Sequence, residues 1–299
     1  MSAPNRDPAD VRATFHQLLG ELRPKLHRYC ARMTGSVIDG EDVVQEALAD
    51  AIASFPADGS ITNPEGWLFR VTYTTALDFL RRRARQRAIA SEEDPDLIID
   101  PVSTTQDREI AAASLHTFMR LPAGQRSSVI LMDVLGYSLL EIGEITSSSL
   151  AAVKAALHRG RMRLRELARE SDDRPLPTLA EPERARLAAY VERFNARDFD
   201  TLRDMLADDV RLDLVARRQL QGRGEVQEYF RQYALVDQWE MVPGFVDRRA
   251  AVLAYDRNDR SRRPAFFILL DWRGGELVNI RDFLFARYAI EGAEVITLQ

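Results

Sequence analysis

Along the first half of the chain, apolar residues recur with the spacing of buried helical faces. Val153, Leu157, Gly160 and Leu164 fall at i, i+4, i+7 and i+11, which is one stripe of a helix. Lys154, His158, Arg161 and Arg165 repeat that spacing on a neighbouring face. Upstream, Leu139, Ile142 and Ile145 give a shorter helix its apolar side, and the polar run Thr146 to Ser149 supplies a turn and an N-cap between the two. This is the layout of a helix-turn-helix, whose second helix enters the major groove so that cations meet phosphates and base edges. A basic amphipathic helix can equally be solvated surface, so this segment alone leaves DNA contact open.

Two further periodic segments lie upstream. In the first, Phe69, Tyr73, Ala76 and Leu80 share one face, while Trp67, Arg70, Thr74, Asp78, Arg81 and Arg85 fall on the opposite one. An aromatic among cations suits a groove that follows phosphates and stacks an unpaired base. For an isolated Trp, packing within its own domain is the plainer reading. In the second segment Val44, Leu48, Ala51 and Phe55 face inward, and Asp42, Gln45, Glu46 and Ala49 face outward. That outward patch is too acidic for DNA. It suits a protein partner with a basic surface, or solvent.

The order of these segments carries a resemblance. Asp42-Val43-Val44-Gln45-Glu46, Trp67-Leu68-Phe69-Arg70-Val71 and Ala76-Leu77-Asp78-Phe79-Leu80-Arg81-Arg82 resemble region 2 of extracytoplasmic-function sigma factors. Leu121-Pro122, Gln125-Arg126, Asp133, Gly136-Tyr137-Ser138, Glu141-Ile142 and Val153-Lys154 resemble region 4 of the same family, as does Leu157-His158-Arg159-Gly160-Arg161. The resemblance implies two partners, core RNA polymerase and promoter DNA. It implies that Asp42, Gln45 and Glu46 meet the clamp coiled coil of the largest polymerase subunit. Trp67, Arg70, Thr74, Arg81 and Arg82 would face the melted −10 element. Ser149, Lys154, His158, Arg159 and Arg161 would face the −35 element. Thr74 stands where family members commonly carry Asn, and the turn at Thr146 to Ser148 lacks their usual Gly or apolar residue. Both departures bear on promoter preference, because a hydroxyl lacks the bidentate reach of an amide.

The last third changes character. A helix is expected from Glu183 to Ala196, followed by the segment Asp200 to Leu206, a strand at Val210 to Leu214 and a short helix after Gly222-Arg223-Gly224. Apolar runs at Ala251 to Tyr255 and Phe266 to Trp272, a turn at Gly274-Gly275, and Leu277 to Phe285 read as strands. Helices first and a meander later imply an α+β fold. The phrases Tyr190 to Phe199, Asp208-Asp209-Val210 and Gln221 to Val226 resemble a SnoaL-like domain, a curved sheet wrapped by helices around a conical pocket. Gly222 and Gly224 are no nucleotide fingerprint, since no strand, Gly loop and long helix surround them.

Composition then sets limits. At 299 residues, two or three domains are expected. The net charge of −5 hides segregation: from Lys154 to Arg169 six cations oppose Glu166 alone, and acids gather at Glu92-Glu93-Asp94. Binding follows the local patch. A single cysteine, Cys30, allows no internal disulfide, and all four histidines precede the last third. Without His or Cys there, only Asp213, Asp271 and Asp282 remain as candidate pocket carboxylates, with pairing to Arg211 or Arg281 the plainer role. No metal-ligand spacing occurs and no cofactor is expected. No apolar run approaches the ~20 residues of a membrane span, so a cytoplasmic protein without a membrane partner is expected.

The reading is a multidomain chain: two all-α sigma domains, a region 2 helical bundle at 8–90 and a region 4 helix-turn-helix at 109–170, then an α+β SnoaL-like cone at 183–299. An acidic linker at 91–108 would thread the polymerase as a nucleic-acid mimic, or serve as a plain tether. A second linker spans 171–182. The expected function is a non-enzymatic sigma factor regulated in cis by its C-terminal domain, whose pocket leaves a small-molecule ligand open. A DNA-binding protein fused to a SnoaL-like enzyme acting on a small metabolite is the alternative. An ordinary DNA-binding regulator fits less well, because it has no use for the Asp42 patch.

Overall fold

A computed structural model describes residues 8–56, 58–88, 114–168, 170 and 174–298. The acidic linker at 91–108, Arg169 and the start of the second linker lie outside the described residues. The chain forms two compact units, 1–172 and 173–299.

The first unit is all helical. It contains α1 (Pro8–Thr34), α2 (Val37–Ser54), α3 (Pro64–Ala88), α4 (Leu115–Met119), α5 (Ala123–Val129), α6 (Leu139–Thr146) and α7 (Leu150–Leu167), and α5 runs on through a π-helical turn at Ile130–Val134. Local chemistry sets the ends. The Ser36 side chain accepts from the backbone N–H groups of Ile38 and Asp39 and starts α2. Ser138 and Glu141 form a reciprocal capping box on α6. α6 ends on Ser147 at φ 53, a left-handed conformation unusual outside glycine. Ser149 then caps α7 by accepting from Ala152 N–H. The expected buried stripes are present: Val44, Leu48 and Ala51 on α2, and Val153, Leu157, Gly160 and Leu164 on α7. At Gly160 an added Cβ would come within 2.7 Å of the Val129 side chain, so glycine is what lets α7 lie close on α5.

The second unit is α+β. It runs α8 (Glu181–Asn195), α9 (Phe199–Asp204), β1 (Leu206–Leu214), β2 (Arg218–Gln221), α10 (Arg223–Ala234), β3 (Trp239–Val246), β4 (Arg249–Asp256), β5 (Phe266–Arg273), β6 (Glu276–Asp282) and β7 (Val295–Thr297). The sheet order is β2-β1-β6-β5-β4-β3-β7, with β1 and β6 parallel. β2, β3 and β7 were not expected from the sequence. β3 holds Pro243-Gly244, which reads as a turn. Here Gly244 is needed for close approach, since a Cβ would meet the Ile296 carbonyl at 2.5 Å as β7 pairs alongside. The core is aromatic: Phe194 lies edge-on to Phe199 and Tyr233, and Phe267 stacks on Phe283 at 4.0 Å.

Candidate nucleic-acid interface

On α3, Trp67 is half-buried and packs against Phe15 and Phe55, which stack on each other at 3.7 Å. Packing in its own domain and lining a surface are therefore both true of Trp67. Its outer side borders a groove of about 370 Å³ with Glu46, Asp50, Arg70, Thr74 and Arg82. Arg70 and Thr74 are exposed. The Thr74 hydroxyl donates to the Arg70 carbonyl at 3.0 Å, leaving its lone pairs outward. Arg81 is exposed and pairs with Asp78 at 2.9 Å, one helical turn away.

Asp42, Gln45 and Glu46 are half-buried neighbours on α2, and Ala49 is exposed. Glu46 and Arg82, expected to meet different partners, hold each other in a bidentate pair at 3.0 and 2.7 Å. Each side chain is more than 40% exposed, so the pair contributes under about 1 kcal/mol and yields readily to another partner.

On α7 the cationic row divides. Lys154, His158 and Arg159 are exposed, as is the capping Ser149. Arg161 is half-buried and grips the buried carboxylate of Asp133, Nε to Oδ2 at 2.9 Å, with a second bond from Nη2. Sequence spacing placed Arg161 with the exposed row. The structure instead uses it to fasten α7 to the turn before α6.

The carboxylates of the second unit also divide. Asp213 on β1 faces Arg281 on β6 at 3.5 Å, and exposed Asp271 accepts from Asn279 at 2.8 Å. Asp282 is fully buried and accepts from Tyr229 at 2.9 Å, Tyr233 at 2.7 Å and Leu284 N–H at 2.8 Å. Burial pushes its carboxyl up to about 6, and these hydrogen bonds oppose the rise. Among the described residues, no group of three or more His, Cys, Asp or Glu is placed to hold a metal ion. No helix of the described residues is long and apolar enough to cross a membrane.

Residues 18–86 match the Sigma-70 region 2 family and residues 115–164 match Sigma-70, region 4. The ECF RNA polymerase sigma factor SigM of Mycobacterium tuberculosis is 32% identical over 162 residues, covering 53% of this chain and 79% of SigM. The chain belongs to the ECF RNA polymerase sigma factors. A second member, SigE of Mycolicibacterium smegmatis, is 32% identical over 165 residues, covering 54% of this chain and 64% of SigE. The chain spans under two thirds of SigE and of SigG, the first curated relatives it matches. A crystal structure of the Mycobacterium tuberculosis ECF sigma factor SigJ is 20% identical with a TM-score of 0.33, covering 88% of this chain and 93% of that one.

In this sigma factor, regions 2 and 4 share one continuous core that includes Tyr29, Met33 and Phe69 from region 2 and Phe118, Ile130 and Tyr137 from region 4. Polar bonds cross the junction. The hydroxyls of Tyr29 and Ser127 meet at 2.8 Å. Arg126 is buried and donates to the Met33 carbonyl at the end of α1, and to Met119 and Leu121 carbonyls at 3.1 and 2.7 Å. Burial pulls its guanidinium down to about 10, which leaves it charged at neutral pH. Tyr137 donates to Glu65 at 2.6 Å, and Lys25 bonds the same carboxylate at 2.6 Å while lying over the Tyr137 ring. Gln125-Arg126 and Gly136-Tyr137 carry the resemblance to region 4, but the sequence assigns them no role. Nothing in their spacing marks them as a junction, because the partners of Arg126 and Tyr137 across it, Met33 and Glu65, lie 93 and 72 positions away.

Proposed function

We propose that the protein binds core RNA polymerase and directs it to a two-part promoter. α2 presents Asp42, Gln45 and Glu46 to polymerase. Trp67, Arg70, Thr74, Arg81 and Arg82 of α3 take the −10 element. Ser149, Lys154, His158 and Arg159 of α7 take the −35 element, and Arg161 supports that helix through Asp133. The observation that carries this reading is the exposure of two separate cation-bearing helix faces, each within a matched sigma region. The protein works in the cytoplasm beside its polymerase and catalyses nothing itself. Residues 8–90, 109–170 and 183–299 act as its modules, joined by linkers at 91–108 and 171–182, and the SnoaL-like third module regulates the first two in cis. Supporting this over a fused metabolite enzyme is Asp282: fully buried, with two tyrosines and a backbone N–H spent on it, it serves the core. The test is run-off transcription with core polymerase on a promoter library, comparing the full chain with one ending near Ser171. Transcripts from a defined −35/−10 pair are expected, with altered output on truncation. No core-dependent initiation would overturn the sigma reading, and equal output over a range of concentrations would overturn the regulatory role.

A further inference from the structure

The arginines of the second unit divide as those of α7 do. Arg193, Arg203, Arg223, Arg231, Arg248 and Arg273 each pair with a carboxylate. Arg260, Arg262 and Arg263 are exposed, and among the described residues no ion pair involves them. All three sit in the turn of the β4–β5 hairpin, between Asp256 and Phe266. The acids of that turn are spent on its shape. Asp256 accepts from Asn258 N–H at 2.8 Å and from Gln238 at 2.6 Å. Asp259 accepts from the N–H and the hydroxyl of Ser261 at 2.8 and 2.7 Å. Ala265 N–H closes the hairpin on the Ala254 carbonyl at 2.7 Å. The turn is thus already ordered, and it presents its guanidinium groups without a large entropy cost. Positive charge is in excess beside it too, where Arg197 and Arg257 share the one carboxylate of Asp237 at 3.6 and 3.8 Å.

We propose that the β4–β5 turn of the SnoaL-like domain is a second DNA contact, in which Arg260, Arg262 and Arg263 grip the phosphate backbone of the duplex upstream of the −35 element. A guanidinium without a carboxylate has no ion pair to give up before it meets a phosphate, and its planar fork matches two phosphate oxygens. Exposed arginines are ordinarily solvated, so the choice of DNA rests on the tether. From Leu167, the end of α7, to Glu181, the start of α8, the chain reaches at most about 50 Å. That is the length of about 15 base pairs at ~3.4 Å each. Once α7 holds the −35 element, flanking duplex lies within reach at high effective concentration, and weak phosphate contacts suffice. The promoter spacer has bound modules on both sides, which leaves the upstream side open. The placement upstream rests on the promoter-binding function proposed above; the phosphate contact itself does not.

The test compares the full chain with a triple variant, Arg260→Ala, Arg262→Ala and Arg263→Ala, whose exposed positions leave the fold intact by circular dichroism. A second triple variant, Arg193→Ala, Arg231→Ala and Arg273→Ala, removes the same charge from exposed ion pairs. Binding to a random-sequence duplex is followed by fluorescence anisotropy as salt rises from about 50 to about 200 mM. The turn variant should lower the salt slope by about 2.7, so that wild type loses about 40-fold more affinity over that range than the variant does. The ion-pair variant should keep the wild-type slope. With core polymerase, the turn variant should lose about tenfold on a promoter fragment that extends about 30 base pairs upstream of the −35 element, and nothing on one cut at that element. An unchanged slope in the turn variant, or an equal drop in both variants, would overturn the phosphate contact. Weakened capture of core polymerase with an unchanged slope would assign the turn to an acidic protein surface instead, and overturn it too. Equal losses on the two promoter fragments would overturn the upstream placement. If no promoter is bound at all, the sigma reading falls, while the random duplex still judges the turn.

Discussion

Acidification from about pH 7.5 to about pH 5 should weaken the first unit and strengthen the second. In the first unit His27 is buried, and its ring Nε2 meets the Val37 carbonyl at 2.9 Å, tying α1 to the start of α2. Burial lowers its pKa from 6.5 to about 4; the Val37 carbonyl opposes the shift, and Arg23, Arg32 and Arg28 add to it. The folded state therefore excludes a proton that the unfolded chain binds. The stability this confers is complete above pH 6.5 and is lost as pH falls toward 4. Integrating between about pH 7.5 and about pH 5 gives a loss of roughly 2 kcal/mol. Asp282 has the opposite sign. Its folded pKa of about 6 lies above the unfolded 3.8, so its stabilising proton is held below 3.8 and lost as pH rises through 6. The same acidification returns roughly 1.4 kcal/mol to the second unit. Calorimetry of the full chain should resolve two transitions whose separation changes with pH. His27→Gln, which can still donate to Val37, should flatten its share of the acid loss, and Asp282→Asn should abolish the acid gain. Were both variants to keep the wild-type pH dependence, burial would not be setting these protons.

Four further outcomes test the assignment of faces. Lys154→Ala and Arg159→Ala should each lower the salt slope of promoter binding by about 1, and an unchanged slope would move α7 off the DNA. Asp42→Lys should weaken capture of core polymerase in a pull-down while circular dichroism stays unchanged. Trp67→Ala should reduce open-complex formation more than closed-complex binding, since stacking contributes ~1–3 kcal/mol per base; equal losses with a lowered melting temperature would assign it to the Phe15–Phe55 packing. Arg161→Ala should cost about 3 kcal/mol in denaturant unfolding by stranding buried Asp133, whereas Lys154→Ala should cost almost nothing.

The helices were legible because their information is local. A stripe such as Val153, Leu157, Gly160 and Leu164 states its own period, and Ser138-x-x-Glu141 states its own cap. The strands were legible where they were continuously apolar, as at Phe266 to Trp272, or alternated, as at Val210 to Leu214. β3 was hidden because Pro243-Gly244 sits in mid-strand, and the three-residue edge strand β7 is too short to show alternation. The packing of regions 2 and 4 was illegible for a different reason: Tyr137 and Glu65 are unremarkable residues until the fold brings them to 2.6 Å.

Charge on a helix face was the least legible quantity of all. Lys154 and Arg161 stand seven positions apart, two turns along one helix, and periodicity gives them the same status. What separates them is a carboxylate 28 positions upstream of Arg161. Asp133 is buried, and its carboxylate would lie unpartnered in the interior without the guanidinium that reaches it. Lys154 has no such claimant among the described ion pairs and stays in solvent. The same logic governs Arg82, whose bond to half-buried Glu46 lies at the surface, so neither group is stranded in the interior if the pair breaks. The burial of the opposing acid, rather than the position of the cation, thus decides which arginine is fixed in the fold and which can exchange partners at the surface.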